Sequence, residues 1–165
     1  SDELNIPVDA VSKVDEQGRS WFSDIFHFIF NPDYVSDVKY IELLKKLLKH
    51  AAKQGDLVIL GHGANLILPP DKCLRVRITA SFTTRVDNTL KYEDKKNRIE
   101  AESWVMKVEH QYNQFIRQYF GVNPHNPWNY DLVVSTDHLS LEQATKLIIQ
   151  AYITKFPTQK KLVEL

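Results

Sequence analysis

Apolar residues cluster into three short runs: Leu57-Val58-Ile59-Leu60, Leu74-Arg75-Val76-Arg77-Ile78 and Leu132-Val133-Val134. The first and third are continuous, the pattern of strands covered on both faces. The second alternates apolar with basic positions, so it predicts a strand at an edge or with one partly polar face. Between them the spacing changes to three and four residues. Ile41, Leu44, Leu48 and Ala51 mark a helix over about 38–53, and Lys53-Gln54-Gly55 supplies its stop. Val105, Val108, Tyr112, Phe115 and Tyr119 mark a long helix over about 95–120, ended by Gly121 and Pro124. A last helix begins near Ser140, where Ser140 and Gln143 have capping-box spacing. Its apolar face is Leu141, Ala144, Ile148 and Ala151.

This alternation predicts an α/β fold, with a mainly parallel sheet and helices on both faces. Three strands are few for such a sheet, so one or two N-terminal strands are expected in addition. Residues 1–35 read as an N-terminal helical segment. They hold a short helix around Val8, Val11 and Val14, a turn at Gln17-Gly18-Arg19, and an aromatic helix from Trp21 to Phe30. The whole of 1–165 reads as one domain with its core in 36–154. The mixed-charge stretch Lys91–Glu102 reads as a solvated helix end.

Composition narrows the function classes. Lys plus Arg and Asp plus Glu are both 21, so the formal net charge is zero. That balance gives no broad electrostatic footprint for nucleic acid or a membrane surface. No apolar run approaches the ~20 residues that span a bilayer, and Ser-Asp-Glu-Leu opens without signal-peptide features. A cytoplasmic protein is the expectation. The single cysteine, Cys73, excludes an intrachain disulfide and reads as packed rather than reactive. His110, His125 and His138 lack zinc-site spacing, and no metal-ligating set is expected.

Three segments in order carry a resemblance. The first is the run Leu57–Leu60 leading into Gly61-His62-Gly63-Ala64-Asn65, a glycine-rich turn at a strand's end. The second is Leu74–Ala80 followed by Arg85. The third is the long helix with Lys107-Val108-Glu109, Tyr112, Phe115 and Tyr119, then Asn129-Tyr130-Asp131-Leu132-Val133-Val134-Ser135-Thr136. Together they resemble the cytidylate-kinase-like branch of the nucleoside monophosphate kinases, over roughly 36–154 and more weakly over 1–35. No one motif is specific; their order and spacing are.

The resemblance implies phosphoryl transfer from ATP, with Mg²⁺, to a nucleoside monophosphate of the CMP/dCMP class. It implies a P-loop-NTPase-like fold with a lid-like region at about 83–120. That chemistry is positioning and charge stabilisation. Arg85 and Lys107 stand as the cationic, catalytic candidates, with Arg98 and Arg117 as further cations. Gly61, His62, Gly63, Asn65, Glu109 and Tyr112 stand as substrate-binding candidates. Each has a plainer alternative: a loop hydrogen bond for His62, surface ion pairs for Arg85, Lys107 and Glu109, and helix packing for Tyr112. Asp131 reads as a turn or capping residue.

The sequence departs from the family in three places. The pattern Gly-x4-Gly-Lys-Ser/Thr is absent from the 165 residues. The resemblance places that loop ahead of Ser1, so the fold reads as incomplete at its N-terminus and the isolated chain as inactive. His62 and Tyr112 stand where the family tends to carry arginine. Two alternatives follow: a degenerate kinase fold that binds a nucleotide or a protein, and an open sheet edge that pairs with a second chain.

Overall fold

Helix starts and stops are written locally, and the computed structural model follows them where it describes the chain, at residues 37–55 and 57–157. Helix α1, Asp37–Gln54, buries Ile41, Leu44 and Leu48 along one face. The short helix α2, Ala64–Ile67, follows the glycine turn. Strand β1 is Val76–Thr79. Helices α3, Phe82–Tyr92, and α4, Arg98–Phe120, form an antiparallel hairpin. A 3-10 turn at Pro127–Asn129 leads into β2, Leu132–Ser135, and α5, Leu141–Lys155, follows. The chain divides into two compact units, Ser1–Leu47 and Leu48–Leu165. Every strand and candidate residue described below belongs to the second.

The fold class is α/β. β1 and β2 pair in parallel, with Val76 opposite Leu132 and Thr79 opposite Ser135. α5 packs on β2, where Val134 is buried.

The structure corrects one expected strand. Leu57–Leu60 is irregular chain, with Val58 88% and Leu60 83% exposed. A strand exists only through a ladder partner, and among the described residues the sheet has two members, β1 and β2. β1 also starts two residues later than the apolar run, because Leu74 and Arg75 lead into the ladder rather than sit in it. The expected helices of 1–35 lie outside the described residues.

Two helix ends, at Ser140 and Gly121, obey the sequence signals, and a third is capped by a residue the pattern did not single out. The Ser140 hydroxyl accepts from the Gln143 amide while the Gln143 side chain accepts from the Ser140 amide, a complete capping box. Asn97 caps α4 through the Glu100 amide. Gly121, in the left-handed conformation, closes α4. α3 emerges from a stretch without a clean apolar period. Ser81 caps it by accepting from the Thr84 amide. Val86 and Leu90 then pack on Ala101 and Val105 of α4. Burying a side chain the size of Val86 stabilises the hairpin by about 1.5–3 kcal/mol.

Candidate functional site

The two edges of the small sheet are built differently. At the N-terminal edge, Arg75 and Asp131 stand immediately before β1 and β2. Arg75 Nη2 and Nε donate to the two Asp131 carboxylate oxygens at 2.8 and 3.2 Å, and its amide donates at 2.8 Å. Lys155, in the last turn of α5, donates to Asp131 at 2.7 Å and to the carbonyls of Pro70 and Cys73 at 2.6 and 2.9 Å. The Arg75 hydrogen bonds, joined by Lys155, hold the Asp131 carboxyl well below the usual carboxylate range. This cluster ties both strands and the last helix together. Cys73 beside it is half-buried, and burial pushes its thiol up.

The C-terminal edge carries the linker to the helical hairpin. The Ser81 amide donates to Asp137 at 2.8 Å, and Ser135 Oγ donates to the same carboxylate at 3.2 Å. The Ser81 amide is the main reason that Asp137 titrates at about 2. Arg85 sits one turn into α3, just beyond this edge, the side of parallel sheets where ligands bind. Its Nη1 meets Glu109 Oε2 of α4 at 3.3 Å, with the side chains 34% and 37% exposed. Its Nε is buried with no hydrogen-bond partner, and its guanidinium lies 5.8 Å from the Phe82 ring centroid. Asn113, one turn along α4 from Glu109, has a buried Oδ1 with no partner. A buried unmet donor or acceptor costs about 1–3 kcal/mol. Neither Arg85 Nε nor Asn113 was singled out by sequence pattern. An exposed-looking arginine and a mid-helix asparagine give no signal of an unmet bond.

The glycine turn holds the second set of candidates. Gly61, His62 and Gly63 are all left-handed, with φ of 74°, 59° and 69°. That conformation is ordinary for glycine and strained for histidine, by on the order of 1 kcal/mol or more. A Cβ on Gly63 would lie 2.5 Å from the Phe120 ring, so the backbone lies flat on the end of α4. Asn65 Nδ2 donates to the Asn129 carbonyl at 3.4 Å. Burial lowers the His62 pKa to about 4, which leaves it neutral near pH 7. As a neutral ring it offers a hydrogen bond and no permanent charge.

Tyr112 links the hairpin to the strand entry. Its hydroxyl lies 3.5 Å from that of Tyr130, and burial pushes its pKa up to about 12. Arg77 of β1 donates to the Tyr130 hydroxyl at 3.2 Å and to the Pro124 carbonyl at 2.7 Å. Phe115 packs on Tyr119 and Phe120, as the helix-packing alternative expects.

Thus Arg85 meets Glu109, while Gly63 and Asn65 meet Phe120 and Asn129. Lys107 is exposed two residues from Glu109, a spacing that puts the two on different helix faces. Arg98, held by Asp87 and Glu102, stands about 16 Å along α4 from Glu109. Among the described residues no three His, Cys, Asp or Glu side chains gather as a metal site. None of their helices is long and apolar enough to cross a membrane.

Comparison with known proteins decides the family. The model of the cytidylate kinase-like family matches residues 1–138. The chain belongs to that family. It therefore carries a kinase-like domain of a nucleotide-binding family. It is 27% identical over 113 residues to a cytidylate kinase of Pyrobaculum neutrophilum, covering 68% of this chain and 61% of that protein. It is 22% identical over 113 residues to a uronate isomerase of Corynebacterium glutamicum, covering 68% of this chain and 22% of that protein. The chain thus spans less than two thirds of the length of either relative.

Proposed function

We propose that this chain is the acceptor-binding and lid portion of a nucleoside monophosphate kinase of the CMP/dCMP class. The complete protein transfers a phosphoryl group from ATP, and these 165 residues alone do not turn over. The observation that carries this reading is the family match over residues 1–138. The geometry supports it in two places. Arg85, paired with Glu109 through Nη1, keeps an unmet Nε donor beside the C-terminal sheet edge. The Gly61–Gly63 turn holds left-handed backbone around a half-buried neutral histidine.

In this role Arg85 neutralises phosphate charge, and His62 with the turn amides contacts the acceptor nucleotide. Glu109, Asn65 and Tyr112 shape the surrounding surface, and Lys107 adds a positive field. Mg²⁺ in phosphoryl transfer is held largely by phosphates and one or two carboxylates. The described residues gather no cluster of three His, Cys, Asp or Glu side chains for it. The donor-phosphate pattern Gly-x4-Gly-Lys-Ser/Thr does not occur in the 165 residues.

A protein that joins this chain to a glycine-rich donor loop is the test. It should convert ATP and CMP or dCMP to ADP and the diphosphate, and Arg85→Ala should lower kcat by ~10³-fold. Absence of turnover with all common nucleoside monophosphates sinks the catalytic reading.

A second reading, a degenerate fold that binds nucleotide or protein, has its own support. His62 is neutral and Tyr112 keeps its proton, so two positions lack permanent charge. Calorimetry decides: CMP binding without turnover favours this module, and turnover ends it.

A further inference from the structure

Among the described residues, Arg85 is poorly matched to its one close carboxylate, Glu109. A guanidinium that anchors structure spends its planar fork on paired bonds, as Arg75 does at 2.8 and 3.2 Å on Asp131. Arg85 instead reaches Glu109 through one nitrogen at 3.3 Å. Its Nε donor remains buried and unmet. The pair spans the two helices of the hairpin just above the Val86–Val105 core. One turn further along α4, the Asn113 acceptor is unmet as well. The resting arrangement therefore holds a cation by its charge while leaving its hydrogen-bonding geometry unused.

We propose that Glu109 is a resting counter-ion for Arg85, displaced by the phosphate group of an incoming ligand. In the empty protein Glu109 offsets the guanidinium charge and keeps it at the hairpin. A phosphate takes the fork with two oxygens and supplies the acceptor that Nε lacks. Glu109 then returns to solvent, which its partial exposure permits. It sets affinity by competing for Arg85, and it takes no proton in this role. The proposal rests on reading Arg85 as a phosphate contact and adds a competitor to that contact.

The test compares the wild-type chain with Glu109→Gln, Arg85→Met, the double variant, and Glu102→Gln as a control. Glu102 is a carboxylate of the same helix, paired with Arg98. The probes are inorganic phosphate and CMP, followed by calorimetry and by the Arg85 Nε–H resonance. E109Q should bind both probes about two- to fivefold tighter, the worth of a half-exposed ion pair. The gain should vanish in the double variant, and E102Q should bind like wild type. Equal or weaker binding by E109Q overturns the proposal, as does a gain that persists without Arg85 or appears in E102Q. If phosphate behaves as described and CMP binds no better than phosphate, the nucleotide reading fails and the counter-ion stands. If CMP binds E109Q like wild type but binds the Arg85 variant more weakly, the counter-ion fails and the nucleotide reading stands.

Discussion

At the N-terminal edge of the sheet, Asp131 accepts from Arg75 and Lys155 through bonds of 2.7–3.2 Å, with its side chain 21% exposed. Past the C-terminal edge, Glu109 meets Arg85 through one 3.3 Å contact and leaves Arg85 Nε unmet. The residue types are the same and their use is opposite. The first pair closes a structural knot among β1, β2 and α5. The second leaves charge and hydrogen-bonding capacity free beside the edge where α/β folds bind ligands. An unmet buried polar group in a native structure calls for an explanation, and a ligand contact is one.

The sharpest way to break that comparison is Asp131→Asn. It strips a charge from both Arg75 and Lys155, and urea unfolding should lose about 2–3 kcal/mol at unchanged m. Acid sharpens the same point. The Asp131 carboxyl titrates lower in the folded protein than the usual 3.8. Its stabilisation is therefore complete above pH 4 and is lost as pH falls further, so wild type and D131N should converge in acid. Convergence on the alkaline side contradicts the assignment.

Gly63→Ala comes next. Its Cβ would press on the Phe120 ring and hold a φ of 69°, so a loss of about 2 kcal/mol is expected. Phe120→Ala should cost less in that background than in wild type, which thermal melts of the four proteins would show.

His62→Gly should change stability by no more than about 1 kcal/mol, because relief of a left-handed histidine is opposed by loss of its half-buried side chain and of the interaction it makes. The His62 pKa of about 4 lies below its unfolded value of 6.5. Wild-type stability should then rise from pH 4 to pH 6.5, and H62G should lose that part of the slope. The smallest loss belongs to Arg85→Met: removing the unmet Nε offsets an ion pair worth at most about 1 kcal/mol, so R85M should be no less stable than wild type. An R85M loss as large as that of D131N would erase the distinction between the edges.

Local signals were legible in the sequence because local chemistry makes them. Ser140 with Gln143, and Gly121, each end a helix through neighbours within four residues. The run Leu57–Leu60 looked like the other strands because apolarity does not specify a ladder partner. The knot at Asp131 was invisible because its members are 56 and 24 residues apart. Arg85 and Glu109 were both visible as candidates, and only the hairpin brings them together. The strain at His62 belongs to backbone angles, which no residue pattern reports.

The central claim is that ligand meets the unsatisfied side of this domain. Titration of the ¹⁵N-labelled chain with CMP tests it most directly. The account predicts shifts at Arg85, Glu109 and Asn113, with Arg75, Asp131 and Lys155 unmoved. Shifts confined to the Arg75–Asp131–Lys155 knot, or none at millimolar CMP, would contradict it.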